Sequence, residues 1–206
     1  MMSRNSNGCA RLHTILFDLD GILISTPGMH DRALNAALQE IGYTVEQHVG
    51  EEAITSVEKL RRLGIVDPDE VQRVKQVKNR LFVEDINSLI FDPSLPINLA
   101  ILRDTHKIAL CTNSTKSSAL KMLEHVGIAD SFDCVLTQED ITFPKPEPDI
   151  YNTAMGVLGA DPMTTIIFED SEPGFTAACR SRALFPIRTD YKSMNIWLNS
   201  LKTRKE

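Results

Sequence analysis

The chain has 206 residues, 42% of them hydrophobic, with 22 Lys and Arg against 28 Asp and Glu, a net charge of −6. That length buries one large core, or a core and a small second unit. No apolar run reaches the roughly 20 residues that span a bilayer, and no basic stretch offers a nucleic-acid backbone a footprint, so neither partner is expected.

Met1 to Arg11 is polar, lacks the apolar segment of a signal peptide, and reads as a disordered tail over 1–11. Ile15-Leu16-Phe17 then reads as a buried strand, running into Asp18-Leu19-Asp20-Gly21. Two carboxylates at the mouth of a buried strand are costly unless something pairs with them. A divalent cation removes that cost. Mg²⁺ takes one or two carboxylates and completes its shell with water and phosphate oxygens. The pair alone is also compatible with a solvated turn.

From Thr26 to Phe91 the pattern is helical. Ala33, Leu34, Ala37, Leu38 and Ile41 form one stripe, closed by Gly42. Ile54, Val57, Leu60 and Leu63 form a second stripe before Gly64. Asp67-Pro68 starts a third helix, with Val71, Val74, Val77 and Leu81 on its face. This predicts a helical cap over 25–92, inserted into an α/β core formed by 12–24 and 93–206, with hinges at Ser25–Gly28 and Asp92–Pro96. Beyond it, strands and helices alternate: Lys107–Cys111, then a helix to Gly127, Cys134–Leu136, a helix to Gly159, Thr165–Phe168, a helix through Cys179, and Ala183–Phe185. Alternation of this kind implies a Rossmann-like parallel sheet. The cysteines, Cys9, Cys111, Cys134 and Cys179, form no C-x-x-C pair. Cys111 and Cys179 sit in apolar contexts and read as core thiols.

Three segments join the first acid pair. Thr112-Asn113-Ser114 follows the second strand. Pro144-Lys145-Pro146-Glu147-Pro148 holds a lysine in a stiff loop. Glu169-Asp170-Ser171 follows a fourth strand, with Gly174 shortly after. All but the lysine stand at carboxyl ends of strands, where open α/β sheets hold their ligands.

This four-part pattern resembles the haloacid dehalogenase (HAD) superfamily, in particular subfamily I with a helical cap, the phosphatase and β-phosphoglucomutase branch. The resemblance covers about residues 13–190. It implies a Mg²⁺-dependent phosphatase acting on a small phosphorylated metabolite through an aspartyl-phosphate. Asp18 would be the nucleophile and a metal ligand. Asp20 would be the general acid and base, with its backbone carbonyl on the metal. Thr112, Asn113 and the turn at Gly21 would hold phosphoryl oxygens, and Lys145 would neutralise charge. Asp170 would be the second acidic ligand, with Glu169 either a direct ligand or one step removed. His30 at the cap entry and Lys78 on the third cap helix are candidate substrate contacts, and Ser171 reads as a helix cap. The Lys145-Pro146 bond is expected to be cis. A cytoplasmic monomer fits the composition.

The chain also departs from the family pattern. Ser25 replaces an acid, Asp92–Pro96 replaces a Pro-Gly, and Val49-Gly50-Glu51-Glu52 stands where a mutase carries an arginine. Two acids there would repel a second phosphate, which favours hydrolysis over a phosphosugar mutase. A non-catalytic regulatory or binding module on the same fold is the alternative outside enzymology, and the filled catalytic positions weigh against it.

Overall fold

The computed structural model describes residues 13–44 and 56–201. Strand β1 (Thr14–Phe17) is buried at all four positions, as a strand covered on both faces must be. It is the centre of a parallel five-stranded sheet in the order β3-β2-β1-β4-β5, completed by β2 (Lys107–Cys111), β3 (Cys134–Leu136), β4 (Thr165–Glu169) and β5 (Phe185–Arg188). Phe17 lies opposite Leu110 of β2 and Phe168 of β4. The three strands therefore end level, and residues 18, 112 and 169–170 emerge together. The chain moves outward from β1 to β2 and β3, then returns to the other side of β1 as β4. The reversal opens a crevice at the carboxyl ends.

Alternate residues of the strands supply two cores. Ile15, Phe17, Ile108, Leu110, Ile166 and Phe168 pack against α4 (Leu95–Arg103), α5 (Lys116–Val126) and α8 (Tyr191–Ser200). Leu16, Ala109, Cys111 and Ile167 pack against α6 (Asp149–Leu158) and α7 (Glu172–Arg180). Cys111 is buried, but Cys179 is exposed on the outer side of α7, against the sequence expectation of a core thiol. Ala177 and Ala178, not Cys179, face the sheet there. Cys9 lies outside the described residues.

Between β1 and β2 the chain forms α1 (Met29–Ile41), α2 (Ser56–Arg62) and α3 (Pro68–Glu84). Leu34, Ala37, Leu38, Leu60, Ile65 and Val74 make a third, separate cluster. Asp67 caps α3 by accepting from the Asp69 and Glu70 N–H groups. Gly42, at φ 100°, closes α1 in the left-handed conformation that glycine adopts without strain. The stripe expected in α2 is only partly used. Leu60 is buried, while Val57 and Leu63 are exposed, and Lys59 is buried instead through an ion pair with Asp31 of α1 at 2.5 Å. Ile54 lies outside the described residues. The segments that enter and leave this helical block are tied by Ser25 N–H to Ile90 O (2.8 Å) and Ile90 N–H to Ser25 O (2.9 Å).

The last strand runs later than the apolar signal suggested, from Phe185 to Arg188. It is a half-exposed edge, so its pattern is diluted. The Thr189 N–H bonds to Glu169 O at 2.8 Å. Peptide groups of Phe185 and Ile187 therefore turn toward β4, while Pro186 and Arg188 face outward. Among the described residues no helix is long and apolar enough to cross a membrane.

Candidate active site

Asp18, the first residue past β1, is anchored by its N–H to Phe168 O at 3.0 Å. Its carboxylate meets Lys145 Nζ at 2.6 Å. The same ammonium reaches Glu169 Oε1 at 2.5 Å and Cys111 O at 2.8 Å. A lysine has three N–H donors, and all three are occupied. Relative exposure is 8% for Asp18, 5% for Lys145 and 0% for Glu169, so the group is shielded from water. Burial, and then the charge of Glu169, hold the Asp18 carboxyl well above the ordinary range despite Lys145. Burial opposes the charge on Lys145, but Asp18 and Glu169 outweigh it and raise its pKa.

The Lys145 loop is held by Asn113. Its Oδ1 accepts from Lys145 N–H at 3.2 Å, and its Nδ2 donates to Lys145 O at 3.3 Å. The side chain expected to grip substrate is therefore turned to bracing the lysine. The Lys145-Pro146 bond is cis. Thr112 is buried at the end of β2, and its hydroxyl accepts from Ser114 N–H at 3.1 Å.

Asp20 sits in the turn after β1, which Gly21 N–H closes onto Ile24 O at 2.8 Å. Gly21 has φ 80°, and a Cβ there would stand 2.0 Å from the Asp170 carboxylate. Only glycine meets both demands. Thr26 Oγ1 donates to Asp20 Oδ1 at 2.9 Å and Ser114 Oγ to Oδ2 at 3.4 Å, with His30 Nε2 3.6 Å from Oδ2. Burial pushes the Asp20 carboxyl up, but His30, Thr26 and Ser114 together bring it below its ordinary value. His30 is itself stacked on Phe82 of α3, with centroids 4.5 Å apart. The first pair of acids is thus split: Asp18 shares its one ammonium with Glu169, and Asp20 is well supplied with donors.

Lys78 on α3 is half-buried, and burial lowers its pKa to about 8 against the pull of Asp20. Ser171 caps α7 by accepting from Gly174 N–H at 3.1 Å. A Cβ at Gly174 would come within 2.0 Å of the Glu169 carboxylate, so the start of α7 and that carboxylate share one space. Glu51 and Glu52 lie outside the described residues. Four neighbours were not singled out from sequence: Thr26, Ser114, Tyr151 and Arg188. Tyr151 donates to Glu169, and Arg188 Nε donates to Asp170 O at 3.3 Å. Ser114 left a trace within the Thr112-Asn113-Ser114 segment, and Tyr151 left one as a hydroxyl-bearing aromatic on the buried side of α6 shortly after Lys145.

Asp18, Glu169 and Asp170 each offer a carboxylate oxygen within 4.8 Å of the others. One lysine cannot balance three acids, and burial with the charge of Glu169 raises Asp170 to about 6. Clustered hard oxygens with an unmet negative charge fit a divalent cation. The Asp20 carboxylate is not part of the cluster.

Residues 15–185 match the model of the haloacid dehalogenase-like hydrolases, and the chain belongs to that family. It is an enzyme of the hydrolase type, and α/β with a parallel sheet as that family requires. It is 27% identical over 176 residues to the phosphorylated carbohydrates phosphatase of Thermotoga maritima, covering 81% of this chain and 80% of that protein. It is 26% identical over 189 residues to the β-phosphoglucomutase of Bacillus subtilis, covering 85% and 82%. The crystal structure of CbbY from Rhodobacter sphaeroides in complex with phosphate has the same fold, with a TM-score of 0.73 at 23% identity, covering 87% and 86%.

Proposed function

We propose that the chain is a Mg²⁺-dependent phosphatase that hydrolyses a small phosphorylated sugar or related metabolite through an aspartyl-phosphate on Asp18. The observation that carries this reading is the Lys145 ammonium bonded to both Asp18 and Glu169, with Asp170 beside them and Asp20 held apart. Phosphoryl transfer needs a positioned nucleophile and cations around the equatorial oxygens. Asp18, Glu169 and Asp170 would hold Mg²⁺, together with the backbone carbonyl of Asp20. Bound there, Mg²⁺ supplies positive charge against the phosphoryl oxygens and keeps the carboxylates ionised.

The Asp18 carboxylate forms a bond to phosphorus while the bond from phosphorus to the substrate alcohol breaks. Asp20 gives its proton to the departing oxygen. It then takes a proton from water as that water attacks phosphorus and frees Asp18. Against burial, His30, Thr26 and Ser114 hold the Asp20 carboxyl below its ordinary range, which suits the second half. The arrival of a phosphate anion beside it favours the protonated form, which suits the first. Lys145 neutralises Asp18, and the Thr112 hydroxyl and the N–H groups of the turn hold phosphoryl oxygens. The block 25–92 acts as the cap, with His30 and Lys78 facing the substrate.

The test is phosphate release from p-nitrophenyl phosphate and from a panel of sugar phosphates, with Mg²⁺ and with EDTA. Release that EDTA stops is expected. The β-phosphoglucomutase relative motivates one further arm: β-glucose 1-phosphate with a trace of the 1,6-bisphosphate. Fast conversion to glucose 6-phosphate, with free phosphate at background, would replace the phosphatase reading with a mutase.

A further inference from the structure

We propose that Tyr151 is a positioning residue that assigns the two oxygens of Glu169 to different tasks. The inference rests on the phosphatase reading for its kinetic consequence but not for its geometry. Tyr151 is fully buried in the first turn of α6, in the core formed with Leu16, Cys111 and Ile167. Its hydroxyl bonds to Glu169 Oε1, the oxygen that also receives Lys145 Nζ at 2.5 Å. An ionised carboxylate only accepts, so the phenol donates. The other oxygen, Oε2, meets only the Ser171 hydroxyl, at 3.3 Å, among the bonds of the described residues. Lys145 Nζ also lies 5.1 Å from the centre of the tyrosine ring.

Two donors therefore pin Oε1, and Oε2 is left for the cation that the acid cluster implies. Without the phenol, the carboxylate is free to rotate about its last bond. Lys145 then keeps Asp18 and the Cys111 carbonyl but loses its third fixed acceptor, and its aim at Asp18 loosens. Groups that orient a metal-binding carboxylate typically matter 10–100-fold in metal affinity or activity. The ring fills the core and faces the ammonium, while the hydroxyl does the orienting, so the two roles separate chemically.

Tyr151→Phe keeps the ring and removes the donor. Three readouts are needed: the apo melting temperature, Mg²⁺ affinity by calorimetry, and steady-state release from p-nitrophenyl phosphate. The expected result is a melting curve close to wild type, about tenfold weaker Mg²⁺ binding, and kcat lower by roughly 10–100-fold at unchanged KM. In a Glu169→Gln background the same change should add little, since the partner is already altered. An equal loss in that background, or wild-type Mg²⁺ affinity and kcat in Tyr151→Phe, overturns the proposal. Should Tyr151→Phe melt far below wild type, Tyr151→3-fluorotyrosine keeps the shape and alters the donor strength. Unchanged Mg²⁺ affinity there overturns the proposal as well. If wild type binds Mg²⁺ yet releases no phosphate, while Tyr151→Phe binds Mg²⁺ more weakly, the phosphatase reading falls and the role of Tyr151 stands.

Discussion

Lys145 at the mouths of β1 and β4 and Lys78 in the helical block carry their charge in opposite ways. At the strand ends, the Lys145 ammonium has every donor occupied and is locked among buried acids and a carbonyl. On α3, Lys78 is half-buried, and burial draws its pKa down toward neutrality. One cation is fixed by the core before any ligand arrives. The other, on the proposed reading, is the one that meets the substrate. Chemistry common to a family needs the first kind of site, and discrimination among substrates needs the second.

The largest effect should come from Asp18→Asn, which keeps the shape and removes the nucleophile. Turnover should fall by about 10³-fold or more, the scale seen when a nucleophile is deleted. Burial and the charge of Glu169 disfavour the Asp18 anion. In EDTA, therefore, the variant should melt no lower than wild type at pH 7. A large drop in melting temperature together with activity would mean that Asp18 is a structural anchor.

Lys145→Met is the complementary break. It leaves Asp18 and Glu169 buried with their shared counter-ion gone. Removing one partner of a buried ion pair costs about 3–5 kcal/mol, so chemical denaturation should show a loss of that order. Added Mg²⁺ should recover part of it. A variant as stable as wild type without metal would show that the buried lysine is not the balancing charge.

Lys78→Met should act on the other side of the comparison, with KM rising more than kcat falls. The charged form of Lys78 is disfavoured in the fold, so its cost is present below pH 8. The cost disappears as pH rises from about 8 to 10.5, the pKa of the unfolded chain. Removing the amine should stabilise the protein at pH 7 by on the order of 1 kcal/mol and flatten stability across that window. An unchanged pH profile would put Lys78 in open solvent.

How much of this was legible in the sequence follows from how local each feature is. Asp18, Glu169 and Asp170 are marked by the apolar runs before them, because a strand that ends at a ligand crevice writes its boundary in composition. Asp67-Pro68, Gly42, Gly127 and Gly159 mark helix ends for the same reason, and each stands at one. Tertiary pairings left weaker marks. Nothing near Lys59 announces that Asp31, 28 residues earlier, would bury it. Asn113 looks like any strand-end amide until the Lys145 loop folds onto it. Cys179 was misread because an amphipathic helix has a polar side, and its position there depends on which alanines meet the sheet. Thr26 and Ser114 are ordinary residues whose role exists only through the location of Asp20.

The outward turn of Pro186 and Arg188 on β5 bears on how the molecule behaves in a crowd. A sheet edge recruits strands from other chains when it offers a regular ladder of free N–H and C=O groups. Here one of the two outward residues is a proline, which has no N–H, and the other carries a long charged side chain bonded to Glu172. An incoming strand would find a missing rung at Pro186, next to an Arg188 side chain tied back to Asp170 and Glu172. The sheet thus ends by its own chemistry, and at high concentration the edge beside Glu169 is guarded against the cross-strand pairing that seeds aggregates.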